Sequence, residues 1–145
     1  MRKITGLFTI TVFLLIGCAA TQLQYTPMAT DDPSKDKMII EQVLQEQPSE
    51  YVPDVIEITD NYLKWQKEVI RRSRLTGGVT TVPGVKVVYF NSIGKIELYQ
   101  KTKWYIVLVY DDNQVRRCRV LTRDEHKAQK FMDAIYSMKM RADTL

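Results

Sequence analysis

The chain has 145 residues, 45% of them hydrophobic and 26% charged, with a formal net charge of +4, two cysteines and one histidine. That length suits one domain with a core large enough to fold without metal or disulfide staples. Two cysteines a hundred positions apart exclude a disulfide-dense scaffold, and a single histidine argues against a multi-histidine metal site.

Residues 1 to 17 read as an address for export. Arg2 and Lys3 precede ITGLFTITVFLLI, an uncharged and mostly apolar run over 4 to 16. Thirteen residues at 1.5 Å each span about 20 Å, short of the ~30 Å hydrocarbon core, so a secretory leader is favoured over a transmembrane helix. Directly after it stands Leu15-Ile16-Gly17-Cys18. This resembles the lipobox of bacterial lipoproteins, with an aliphatic residue at −3, a small residue at −1 and the cysteine. The resemblance implies cleavage between Gly17 and Cys18, diacylglycerol on the Cys18 sulfur and acylation, often by palmitate, of the new amine. It also implies residence in the cell envelope. Ala19 stands where an inner-membrane retention signal would place Asp. The implied address is then the outer membrane facing the periplasm in a Gram-negative host, and otherwise the outer face of the cytoplasmic membrane. Two or three acyl chains hold a protein essentially permanently, since each buried methylene contributes ~0.8 kcal/mol. The covalent lipid on Cys18 is the only cofactor expected.

Residues 18 to 33 are small and polar with Pro27 and Pro33, and read as a flexible, lipidated stalk. Residues 34 to 54 form a short helix and an acidic connector. Ser34 is the expected cap of a helix over 35 to 47, and Pro48 stops it. Ile40, Val43 and Leu44 supply its apolar face, to be packed on the domain or, alternatively, on a partner. From 18 to 60 there are two basic and nine acidic residues, net −7; from 61 to 145, seventeen basic and eight acidic, net +9. An acidic arm of this kind either folds against the basic body or leaves a free basic surface.

From residue 55 to 145 the pattern is that of an α+β domain, mainly antiparallel β. Val55 to Ile58 is a strand, Thr59-Asp60-Asn61 a turn, and a second strand starts at Tyr62. Its continuation over 67 to 74 is left open between strand and helix. Gly77-Gly78 and Pro83-Gly84 mark a loop. Strands follow over Val85 to Phe90, Gly94 to Gln100, Trp104 to Tyr110 and Val115 to Leu121. Asp111-Asp112-Asn113 is the turn before the last of them. That strand sets Arg117 and Arg119 on one face and Cys118 and Val120 on the other. Thr122 and Glu125 have capping-box spacing, and Ala128, Phe131, Ile135 and Met138 make the buried stripe of a terminal helix.

Strands in this succession with one terminal helix resemble bacterial pleckstrin-homology-like and GRAM-like domains. The matched features are IEIT-DN-YLKW, VVYFNSIGKIELY with its Phe90-Asn91-Ser92-Ile93 step, and DEHKAQKFMDAIYSM. The resemblance implies a partly open barrel capped by the helix, and a binding or scaffolding module rather than an enzyme. The family's phosphoinositide site needs Lys and Arg in the first hairpin loop, where this chain has Asp60-Asn61. That function is not carried over.

The cations gather at Lys64, Lys67, Arg71, Arg72 and Arg74, and at Arg116, Arg117, Arg119 and Arg123. Exposed together, the arginines would form a site for anionic lipid, polysaccharide phosphate or an acidic partner; the plainer reading is a solvated sheet face. Export makes nucleic acid an unexpected partner. Cys118 and His126 are the sole thiol–imidazole pair for nucleophilic chemistry, with flanking arginines that would favour a thiolate. They read more simply as a core thiol and a surface imidazole. The expectation is a membrane-anchored, non-catalytic envelope protein that binds a partner protein, with the anionic-surface site and the Cys/His enzyme as alternatives.

Overall fold

The computed structural model describes residues 19–72 and 79–144. The leader, Gly17, Cys18 and Arg74 lie outside them. In chain order the elements are β1 (Thr21–Leu23), α1 (Pro33–Gln45), β2 (Val55–Ile58), β3 (Tyr62–Arg72), β4 (Val79–Tyr89), a 3-10 turn (Phe90–Ser92), β5 (Ile93–Lys101), β6 (Trp104–Asp111), β7 (Arg116–Thr122) and α2 (Glu125–Ala142). The fold is α+β, with every strand pairing antiparallel. One sheet runs β2-β3-β4 and the other β1-β5-β6-β7, and no backbone ladder joins β4 to β7.

The sheets close around α2. Ala128, Phe131, Ile135 and Met138 are buried as the stripe predicts, with Met132 beside them, against Leu63, Val88, Phe90, Leu98, Val107 and Val120. Phe90 sits at the sheet-to-sheet corner, where the 3-10 turn carries the chain from β4 into β5. Helix α1 buries Ile40, Val43 and Leu44 against α2, so its apolar face belongs to the core. Each side chain of this size contributes roughly 1.5–3 kcal/mol on burial, and the shared cluster is what joins the helices to both sheets.

Four expectations are corrected. The segment 18 to 33 is not a free stalk over its described part. Thr21, Gln22 and Leu23 extend the sheet by pairing with Gln100, Tyr99 and Leu98. The Tyr25 hydroxyl and the Met28 amide then donate to the Asp133 carboxylate at 2.9 and 2.8 Å, and the Thr30 amide donates to Ser137 Oγ at 2.7 Å. Burial, together with the Asp133 carboxylate, pushes the Tyr25 phenol up to about 12. Small polar residues look like a linker in sequence; here their polar groups find fixed partners on α2.

The helix caps also differ. Asp32 caps α1, accepting from the Ser34 and Lys35 amides at 3.0 Å with Pro33 in the first turn. Asp124, not Thr122, caps α2 by accepting from His126 and Lys127. In both places an aspartate two positions away from the expected residue takes the cap, and so a different pair of amides.

The alternative left open over 67 to 74 falls to strand in its described part, 67 to 72, where Arg71 and Arg72 pair in register with Thr80 and Val79. Finally, Pro83-Gly84 lies within β4 rather than in a loop. Proline is tolerated on an edge strand when its missing N–H would face away from the neighbour. That holds here. The Glu68 amide opposite Pro83 points away from β4, to the Asp54 carboxylate just before β2, which accepts it at 2.7 Å.

The acidic arm does fold onto the basic body. Asp36, fully buried, accepts from the Thr30 hydroxyl and is ion-paired to Arg141. Glu46 pairs with Lys127 of the body, while Lys37 and Asp60, 2.8 Å apart, pair within the arm itself. Exposed pairs of this kind contribute little, ~0–1 kcal/mol, whereas Asp36 without Arg141 would be an uncompensated buried charge.

Candidate functional site

Strand β7 alternates as the sequence requires. Cys118 and Val120 are buried, and Arg117 and Arg119 are exposed on the opposite face. Its inner edge pairs with β6, Val120 standing opposite Val107 and Cys118 opposite Val109. Its outer edge is partly sealed by one side chain. The buried Gln47 amide donates to the Leu121 carbonyl and accepts from the Leu121 amide, both at 2.9 Å. Leu121 therefore directs its backbone groups away from β6, and Arg119, two residues earlier, does the same.

On the other sheet the Phe90 amide donates to Asn61, which turns the backbone of Phe90, and of Val88 and Lys86 before it, towards β3. Val85 and Val87 then point their N–H and C=O groups outwards. The outward edges of β4 and β7 line one cleft of about 490 Å³, with Val85, Lys86 and Val87 on one wall and Arg116 to Arg119 on the other. Tyr51, 45% exposed, and Val85, 50% exposed, add apolar surface at its mouth. Two unpaired strand edges face the same space.

The charge there is positive and unevenly held. Arg117 donates to the buried Asp111 carboxylate at 2.6–2.7 Å, and Asp111 also accepts the Val115 amide at 2.8 Å. That backbone hydrogen bond, with Arg117, holds the Asp111 carboxyl below its ordinary value. Arg117 is thus part of the β6–β7 turn as well as of the wall. Arg116 and Arg119 have no carboxylate within 4 Å among the described residues. Lys86 lies 5.9 Å from the centre of the Trp65 ring.

The other predicted residues lie elsewhere. Arg123 follows β7, stacks at 4.8 Å on Trp104 and is not in the cleft. Arg71 and Arg72 are placed by their backbone on β3, and Arg74 falls outside the described residues. The arginines read as one class therefore separate, with Arg116, Arg117 and Arg119 kept together. Lys86 and Gln47 were missed. Lys86 was legible as the charged position in Val85-Lys86-Val87, but the Pro-Gly before it suggested a strand beginning rather than an edge continuing. Nothing local marks Gln47, whose partner is 74 residues away.

Cys118 forms the floor, its thiol pushed up to about 12 by burial. The flanking arginines do not favour a thiolate, because they leave the strand on the opposite face. His126 is exposed in the first turn of α2, and no hydrogen bond joins it to Cys118 among the described residues. No group of three or more His, Cys, Asp or Glu fit to hold a metal ion occurs among the described residues. Nor is any helix among them long and apolar enough to cross a membrane. A second groove of about 530 Å³ lies between α1 and α2 over Met38 and Ile39, and holds none of the predicted site residues. No protein-family model, curated protein or solved structure matches the chain.

Proposed function

We propose that the chain is a lipid-anchored, non-catalytic envelope protein whose β4–β7 cleft binds an extended acidic segment of a partner protein. The observation that carries this reading is the pair of strand edges, β4 open at Val85 and Val87 and β7 open at Arg119 beyond the Gln47 seal, that line one cleft with Arg116 and Lys86. An added strand supplies backbone hydrogen bonds to Val85, Val87 or Arg119, and acidic side chains meet the cations above. Tyr51 and Val85 offer apolar contact at the mouth. The anchoring half rests on the Leu15-Ile16-Gly17-Cys18 motif after an apolar leader. The likeness to pleckstrin-homology-like modules is supported by two antiparallel sheets with a C-terminal helix packed between them.

The cleft favours a peptide over a lipid headgroup or polysaccharide phosphate because backbone donors and acceptors lie beside the charges. Titration of the chain with a synthetic peptide of alternating Glu and Val tests this. Amide resonances of Val85, Val87 and Arg119 should shift together. Arg116→Glu with Arg119→Glu should weaken binding on the order of tenfold or more, each lost contact in a positive field being worth about 1 kcal/mol. A response confined to side chains, or one equalled by inorganic phosphate, would contradict strand addition.

A further inference from the structure

We infer that the tip of the β5–β6 hairpin is the membrane-facing end of the molecule, with Lys101, Lys103 and Arg123 set against anionic lipid headgroups. The inference rests on the lipid-anchor reading and adds an orientation to it. Strand β1 runs antiparallel to β5, with Thr21 opposite Gln100 and Leu23 opposite Leu98. The chain before Thr21 therefore leads towards Lys101 and past the hairpin tip. Three Cα–Cα steps of 3.8 Å separate Cys18 from Thr21, so an acylated Cys18 lies within about 11 Å of the sheet. No stalk long enough to let the body swing free remains.

The surface at that end suits the role. Lys101, Thr102 and Lys103 are exposed at the tip, with Thr102 at φ 52° forming the tight turn. Trp104 follows, half-buried, and the Arg123 guanidinium covers its ring at 4.8 Å. Lysines, arginine and tryptophan in one patch suit the headgroup region, where cations meet lipid phosphate and the indole meets the acyl boundary. Of the carboxylates nearby, Asp124 is engaged in capping α2 and Glu46 in pairing with Lys127. Glu125 accepts from Gln129 at 3.2 Å. Lys101, Lys103 and Arg123 have no carboxylate within 4 Å among the described residues. The cleft arginines belong to a different surface, leaving them open to a protein partner while the tip faces lipid.

The test is lysine acetylation, read residue by residue by mass spectrometry, on the purified full chain in vesicles. Phosphatidylglycerol-containing vesicles are compared with phosphatidylcholine vesicles and detergent micelles, and the intact mass reports whether Cys18 carries lipid. In the anionic vesicles Lys101 and Lys103 should react about fivefold or more slowly than in micelles, with exposed Lys130 unchanged. Acylated chain with Lys101 and Lys103 as reactive as in micelles would overturn the orientation and leave the anchor standing. Equal protection in the neutral vesicles would overturn the headgroup contact. Absence of the lipid mass would overturn anchor and orientation together.

Discussion

Gln47 is the side chain on which the cleft most depends, although it lies outside the cleft's charged wall. Its amide satisfies both backbone groups of Leu121 and, through a 3.0 Å bond to the Val43 carbonyl, ties the end of α1 to β7. Gln47→Ala leaves a buried N–H and a buried C=O without partners, and should cost about 3 kcal/mol in denaturant unfolding, since each orphan costs ~1–3 kcal/mol. A loss below about 0.5 kcal/mol, the ordinary scatter of a surface substitution, would show that the edge is solvated instead. Gly94 is constrained for a different reason. A Cβ there would meet the Asp111 carbonyl at 2.8 Å, because β5 and the β6–β7 turn approach closely at the register shift between Ile93 and Lys95. Cys118 shows how alternation outranks sequence neighbourhood. Arginines on both sides along the chain do nothing for a thiol that points the other way.

At the scale of elements, sequence pattern served where one face is buried and the other wet. The α2 stripe, the alternation of β7 and the Thr59-Asp60-Asn61 turn were all legible, because periodicity and turn chemistry act locally. The docked N-terminal segment was not legible. Its stability comes from Tyr25, Met28 and Thr30 meeting Asp133 and Ser137 more than a hundred residues away, and no local composition encodes that. The edge proline in β4 misled for a related reason, since its compatibility depends on which neighbour the missing N–H would have faced. Asp133→Ala should free the segment while leaving the buried stripe of α2 intact. Two bonds to a carboxylate together are worth about 2 kcal/mol or more, so hydrogen-exchange protection of the β1 amides that face β5 should fall on the order of 30-fold. Unchanged protection would mean that the β1–β5 ladder holds the segment without α2.

Across the whole molecule, the charge asymmetry resolves into contacts and two uncovered basic surfaces. Without residues 1 to 17 the chain has 128 residues of net charge +2, within which the acidic arm is consumed in part by Arg141 and Lys127 bridging to Asp36 and Glu46, with Lys37 and Asp60 pairing inside it. Among the exposed cations are Arg116 and Arg119 beside the outward edges of β4 and β7, and a separate basic tip at Lys101 and Lys103. Half of the candidate site, the β7 arginines, was visible in sequence; the other half required knowing that β4 and β7 face each other unpaired. Whether this cleft receives an acidic protein segment, as proposed, is tested most directly by a photo-crosslinking amino acid at Val85 of the full chain in cells. The expected result is a protein adduct mapping by mass spectrometry to an extended acidic segment and lost with Arg116→Glu and Arg119→Glu. An adduct to lipid or polysaccharide, or a protein adduct indifferent to those reversals, would contradict it.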